Sequence, residues 1–148
     1  MRFILGKDLI NMVFLDSNIW LYSLLAQQSA AKSSISRNLI QANRQQIAIS
    51  SQVVIEVAAN LLRKGKFDEP EIAKYIEIAY AEHHVIDVSQ EILLSASNLR
   101  ERYSLSYFDS IIVAAALATN STILYSEDMQ DGLVINEQLT VVNPFVAR

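Results

Sequence analysis

Cysteine is absent from this 148-residue sequence. That excludes a disulfide scaffold, a thiolate zinc site and a thiol nucleophile, and it is compatible with a reducing compartment. Glycine and proline are scarce, at 3 and 2 residues. An all-β sandwich, which must turn every few residues, needs more of both. Long apolar runs are missing too. The longest, residues 111–118, falls well short of the roughly 20 residues of a membrane-spanning helix. The start, Met1-Arg2-Phe3-Ile4-Leu5-Gly6-Lys7-Asp8, has too short an apolar stretch for a signal peptide and no small-residue cleavage site, so a cytoplasmic protein is expected. Positive charge is in deficit. Lys plus Arg is 12 against 16 for Asp plus Glu, a formal net charge of −4. A non-specific nucleic-acid coat protein, which relies on a large positive excess, is therefore excluded. There is no internal repeat and no low-complexity stretch.

What the sequence does have is apolar surface. Hydrophobic residues make up 51% and charged residues 19%, which excludes intrinsic disorder and provides for one packed domain. Short apolar runs at 12–15, 46–49, 84–87, 121–125 and 139–142 read as strands, and the first has the continuous pattern of a strand buried on both faces. Helical patterns lie between them. The first runs through Ile19, Trp20, Leu21, Leu24 and Leu25 after three cap candidates, Asp16, Ser17 and Asn18. Others cover 30–43, 52–64 (capped by Ser50 or Ser51 and ended at Gly65), 70–82 (opened by Pro70), 90–102 (capped by Ser89) and 107–119 (capped by Ser106). Residues 126–132 read as a loop. Strands alternating with pairs of helices predict an α/β sandwich with a mainly parallel sheet. In such sheets ligands bind beyond the carboxyl ends of the strands, near the point where strand order reverses.

Four acids fall at such places. Asp16 follows the first strand directly, and Asp128 lies in the loop after the fourth. Glu56 sits in the first half of its helix, in a polar stripe with Gln52, Asn60 and Arg63. Asp109 lies in the first turn of a helix that is apolar all round, so burial or a cleft awaits its carboxylate. Each also has a plain structural reading. Asp16 is a good helix cap, the Glu56 stripe suits a wet helix face, Ser106 to Asp109 fits a capping pattern, and Asp128 is an ordinary turn residue. Taken together, the four are expected to converge on one edge of the sheet. Crowded carboxylates repel unless one is protonated or a cation lies among them. Oxygen ligands without His or Cys suit Mg²⁺ or Mn²⁺ rather than zinc, and such ions support in-line phosphoryl displacement by water.

The segments Val13-Phe14-Leu15-Asp16-Ser17-Asn18, Val54-Ile55-Glu56-Val57, Tyr107-Phe108-Asp109-Ser110 and Leu124-Tyr125-Ser126-Glu127-Asp128-Met129 resemble, in order, the four motifs of PIN-domain ribonucleases, and most closely VapC-like toxins of toxin–antitoxin pairs. The resemblance covers residues 12 to about 143 and implies a PIN-like three-layer sandwich with a five-stranded sheet of order 3-2-1-4-5. It implies a metal-dependent endoribonuclease with Asp16, Glu56 and Asp109 as an acidic triad and Asp128 as a fourth acid. Asp16 and Asp109 would be the chief ligands of Mg²⁺ or Mn²⁺. Glu56 and Asp128 would hold a second ion or orient water, and Ser126 would hydrogen-bond the acids. Glu127 and Asp131 stand as substitutes for Asp128. The resemblance further implies an RNA substrate, an antitoxin protein partner and a homodimer. Residues 1–11 precede the first motif, so they form an N-terminal extension, or translation begins at Met12, with residues 12–148 as the single domain.

Two other readings stay open. One is a PIN-like binding module whose acids only cap helices. The other is a phosphoaspartyl or receiver-type domain with Asp16 as acceptor, which is disfavoured because no Lys follows Lys74. The cations Arg63, Lys64 and Lys66, and likewise Lys32, Arg37 and Arg44, suit helix ends and faces or RNA phosphates. His83 and His84 have no spaced partner and read as structural or solvated. Trp20 and Tyr22 read as core or dimer contacts, or as base-stacking residues.

Overall fold

The computed structural model describes residues 11–65 and 67–147. The expected extension therefore lies outside the described residues except for Asn11, as does Lys66. The elements are β1 (Met12–Leu15), α1 (Ser17–Leu24), α2 (Ala30–Ala42), β2 (Ile47–Ser50), α3 (Ser51–Arg63), α4 (Glu69–Glu82), β3 (His84–Ile86), α5 (Gln90–Tyr103), α6 (Tyr107–Ala118), β4 (Ser121–Tyr125), β5 (Val134–Ile135) and β6 (Leu139–Val142). They form one sheet of order β3-β2-β1-β4-β6-β5. All neighbours are parallel except the β5–β6 pair.

This is the expected α/β frame. The five strands read from the sequence lie in the order 3-2-1-4-5, with β6 as the fifth. Every residue of β1 and of β2 is buried. Successive strand residues point to opposite faces, so both faces of the sheet centre are covered. α1 packs on α2 and α3, α3 on α4, and α5 on α6. Within α6, every residue from Ser110 to Ala116 is buried, as its all-round apolar pattern predicts.

The sequence reading did not anticipate β5, a two-residue edge strand. The chain turns back from it through Asn136 and Glu137, both in the left-handed region at φ 52° and 56°. Two residues carry no periodicity, so the strand exists only through its pairing with β6. Its shortness limits the exposed pairing edge. The helix caps follow the local chemistry. Ser50, Ser89 and Ser106 each accept a backbone N–H at the start of α3, α5 and α6. α4 begins one residue before Pro70, under a capping box of Asp68 and Glu71. Gly65 leaves α3 at φ +67°, a conformation that glycine adopts without steric cost. Among the described residues, no helix is long and apolar enough to cross a membrane.

Candidate functional site

β1 pairs with β2 on one side and β4 on the other, and the chain winds outward from β1 in both directions. The carboxyl ends of β1 and β4 therefore flank the switch point. Asp16 begins where β1 ends. Its N–H donates to Tyr125 O at 3.0 Å, so the backbone is fixed by the end of β4. Its extended backbone makes it the N-cap of α1, where Oδ1 accepts from Ser17 N at 2.7 Å. Oδ2 accepts from the hydroxyl of Ser126, the first residue after β4, at 2.9 Å. Thus one carboxylate sits at the switch point, held from the start of α1 and from the residue after β4.

The Asp16 side chain is only 9% exposed, and Ser126 is fully buried. Burial is the main cause that pushes the Asp16 carboxyl up from 3.8 to about 6. The charges of Glu56 and Asp109 push the same way, whereas the Ser17 N–H and the Ser126 hydroxyl oppose them. Glu56 and Asp109 thus lie within electrostatic reach of Asp16, although the three come from α3, α6 and the end of β1. Glu56 and Asp109 are both half-buried. Gln52, one turn before Glu56, donates Nε2 to Glu56 Oε2 at 3.3 Å and to Phe108 O at 3.5 Å. It ties α3 to the start of α6. Asn60 Nδ2 donates to Glu56 O at 2.8 Å and Arg63 donates to Asn60 Oδ1, so the polar stripe is internally bonded.

Asp128 is exposed, and its charge is not among those that shift Asp16. Asn18, in the first turn of α1, donates Nδ2 to Asp128 Oδ2 at 2.8 Å. The two alternatives to Asp128 have other partners. Glu127 accepts from Tyr22 OH at 2.8 Å and forms an ion pair with Lys32. Asp131 Oδ1 accepts from Asn143 N at 2.8 Å. Among the described residues, no three Asp, Glu or His side chains are gathered closely enough to hold an ion as they stand. Glu56 and Asp109 thus act on Asp16 through their charges, while Asp128 is tied to α1 by Asn18.

Two residues of this arrangement, Asn18 and Gln52, show in the sequence only as a cap candidate and a stripe member. They lie two residues after Asp16 and four before Glu56, so a polar side chain within a turn of an acid was the available signal. Elsewhere, an apolar groove of about 630 Å³ opens between α1, α2 and α4, lined by Trp20, Leu24, Ile40, Tyr75 and Ile78 among others. None of the four acids lines it.

An α/β sheet with acids at its switch point is the arrangement of a PIN domain. Residues 13–130 match the PIN domain model, and the chain belongs to that family, a family of nucleases that typically use divalent metals. No curated protein matches the chain in sequence. Solved structures share the fold. A toxin–antitoxin complex from Klebsiella pneumoniae is 23% identical, with TM-score 0.66 over 90% of this chain and 98% of that chain. VapC20 of Mycobacterium tuberculosis, a toxin that cleaves the sarcin–ricin loop, is 17% identical, with TM-score 0.63 over 78% and 89%. DNA-bound VapBC from Salmonella typhimurium is 15% identical, with TM-score 0.62 over 89% and 97%.

Proposed function

We propose that this chain is a metal-dependent endoribonuclease and the toxin of a toxin–antitoxin pair, acting in the cytoplasm with residues 12–148 as its working unit. The observation that carries this is the placement of Asp16. A nearly buried carboxylate at the switch point, within the fields of Glu56 and Asp109, is costly unless a cation compensates it. The donor set suits Mg²⁺ or Mn²⁺, being carboxylate oxygens without His or Cys. Asp16, Glu56, Asp109 and Asp128 are the residues assigned to hold the metal. A bound divalent ion supplies water activation near neutral pH and charge stabilisation at the scissile phosphate.

The chain's own residues do the rest. Ser17 N–H and the Ser126 hydroxyl each take one lone pair of the Asp16 carboxylate, which fixes its plane and leaves lone pairs for a cation. Gln52 holds Glu56 toward the first turn of α6, from which Asp109 projects. Asn18 holds Asp128 beside α1. RNA is the substrate assigned, cleaved by water in line without a covalent enzyme intermediate. The partners assigned are an antitoxin protein and a second copy of the chain. Support for self-association comes from exposed apolar side chains on three helices, Ile55 on α3, Leu94 on α5 and Phe108 on α6, exposed by 67%, 64% and 64%.

The test is RNA cleavage with Mn²⁺ by the parent and by Asp16→Asn. Loss of cleavage in the variant and in EDTA is expected. Equal cleavage by both, unaffected by EDTA, would overturn the assignment. The competing reading, a binding module whose acids only cap helices, draws on the observed cap at Asp16. It predicts no rise in melting temperature on adding Mn²⁺, whereas a carboxylate metal site predicts a clear rise.

A further inference from the structure

The loop after β4 supplies both Ser126 and Asp128, and its outer edge is held by residues of α1, α2 and the C-terminal segment. Tyr22 OH donates to Glu127 Oε1 at 2.8 Å, and the Lys32 ammonium pairs with Glu127 Oε2. Both oxygens of Glu127 are thereby engaged from α1 and α2. Lys32 also lies 5.1 Å from the Tyr22 ring centroid and 5.4 Å from that of Phe145, within cation–π range of both. Those two rings meet edge to face at 5.2 Å. From the C-terminal side, Asn143 Nδ2 donates to Glu127 O at 3.3 Å. The pair is partly shielded, with 37% and 20% of the Lys32 and Glu127 side chains exposed. An ion pair in such surroundings is stronger than one in open water.

We propose that Lys32, Tyr22 and Glu127 form a clamp of positioning residues, which holds the loop after β4 so that Asp128 faces Asn18 while Ser126 holds Asp16. This rests on the metal-site reading above and assigns Glu127 a part different from that of its neighbour. Adjacent acids in one loop have divergent partners. Glu127 is spent on the clamp, and Asp128 is left at the site bonded to the Asn18 amide. Lys32 is then neither an RNA contact nor a bystander on a wet helix. Its loss releases a loop that carries two of the site's side chains.

The test uses the whole chain with two single substitutions, Lys32→Met and Glu127→Gln, and Mn²⁺ alone as the probe. Simple electrostatics predicts opposite effects. Removing a cation near the acids tightens Mn²⁺ binding, and removing an anion weakens it. A clamp predicts the same sign for both, with Mn²⁺ affinity falling about tenfold in each, the scale seen when a group that orients a metal ligand is lost. Lys32→Met binding Mn²⁺ as tightly as the parent, or more tightly, overturns the clamp. A second, metal-free arm is amide hydrogen exchange. The Met129 and Asn143 amides, bonded to Ser126 and Asp131, should exchange about fivefold faster in both variants, as expected for an ion pair worth a modest local stabilisation. Unchanged exchange also overturns the proposal. A parent that binds no Mn²⁺ sinks the metal-site reading instead, and the exchange arm then decides the clamp by itself.

Discussion

The Asp16 carboxyl makes stability depend on pH in an unusual direction, and the size of the effect follows from its surroundings. Burial raises this carboxyl from 3.8 to about 6 in the folded chain. Between those values the folded state binds a proton that the unfolded state has released. Stability contributed by Asp16 is therefore fully present below about pH 4 and is lost as pH rises through about 6. At 1.36 kcal/mol per pKa unit, the loss by pH 8 is about 3 kcal/mol. Asp16→Asn removes this cost, because an amide does not ionise. Asn has one carbonyl oxygen where the carboxylate accepts from both Ser17 N and Ser126 Oγ, so one donor loses its partner, at about 1–2 kcal/mol. The variant should accordingly be more stable than the parent by about 1–2 kcal/mol at pH 8 and less stable at pH 4. Urea denaturation of both proteins from pH 4 to 8, without metal, measures this. All other titrating groups are common to both, so the difference between the two curves isolates Asp16. The same experiment at pH 8 with Mn²⁺ should reverse the ranking, because only the parent gains from the ion. A flat difference curve, or one in which the parent gains on the variant as pH rises, refutes the reasoning.

Other substitutions probe separate parts of the structure. Ser126→Ala removes the buried hydroxyl that donates to Asp16 and accepts from Met129 N, so urea denaturation at neutral pH should show a loss of about 1–3 kcal/mol. Ala115→Leu forces bulk into a fully buried position of α6, and a stability loss of about 1–3 kcal/mol is expected, read as a lower urea midpoint with an unchanged slope. Tyr75→Phe should leave stability unchanged or raise it by up to about 1 kcal/mol, because the buried Tyr75 hydroxyl has no hydrogen-bond partner among the described residues. A loss beyond 1 kcal/mol in Tyr75→Phe would show that the hydroxyl is bonded in solution.

Which parts of this protein were legible in its sequence follows from the range of the forces that set them. β1 and β2 were readable because a strand covered on both faces shows an unbroken apolar run, four residues in β1 and three, Ile47 to Ile49, in β2. Helix starts were readable because a cap satisfies its own backbone three residues away, as Ser89 does for Ile92 and Ser106 for Asp109. β5 was not readable, since it is a strand only by virtue of β6. The site divides in the same way. That Asp16 and Ser126 lie at strand ends is a local fact, and the alternation of strands and helices turns it into a shared location. The choice between Glu127 and Asp128 is not local. Both are adjacent acids in one turn, with the same charge and the same preference for loops. What separates them is Lys32, 95 positions away from Glu127, and Asn18, 110 positions away from Asp128. No window of sequence around the loop contains either partner. The proposed distinction between a clamp acid and a site acid therefore rests on the contacts of α1 and α2 with the loop after β4, and only the folded chain expresses it.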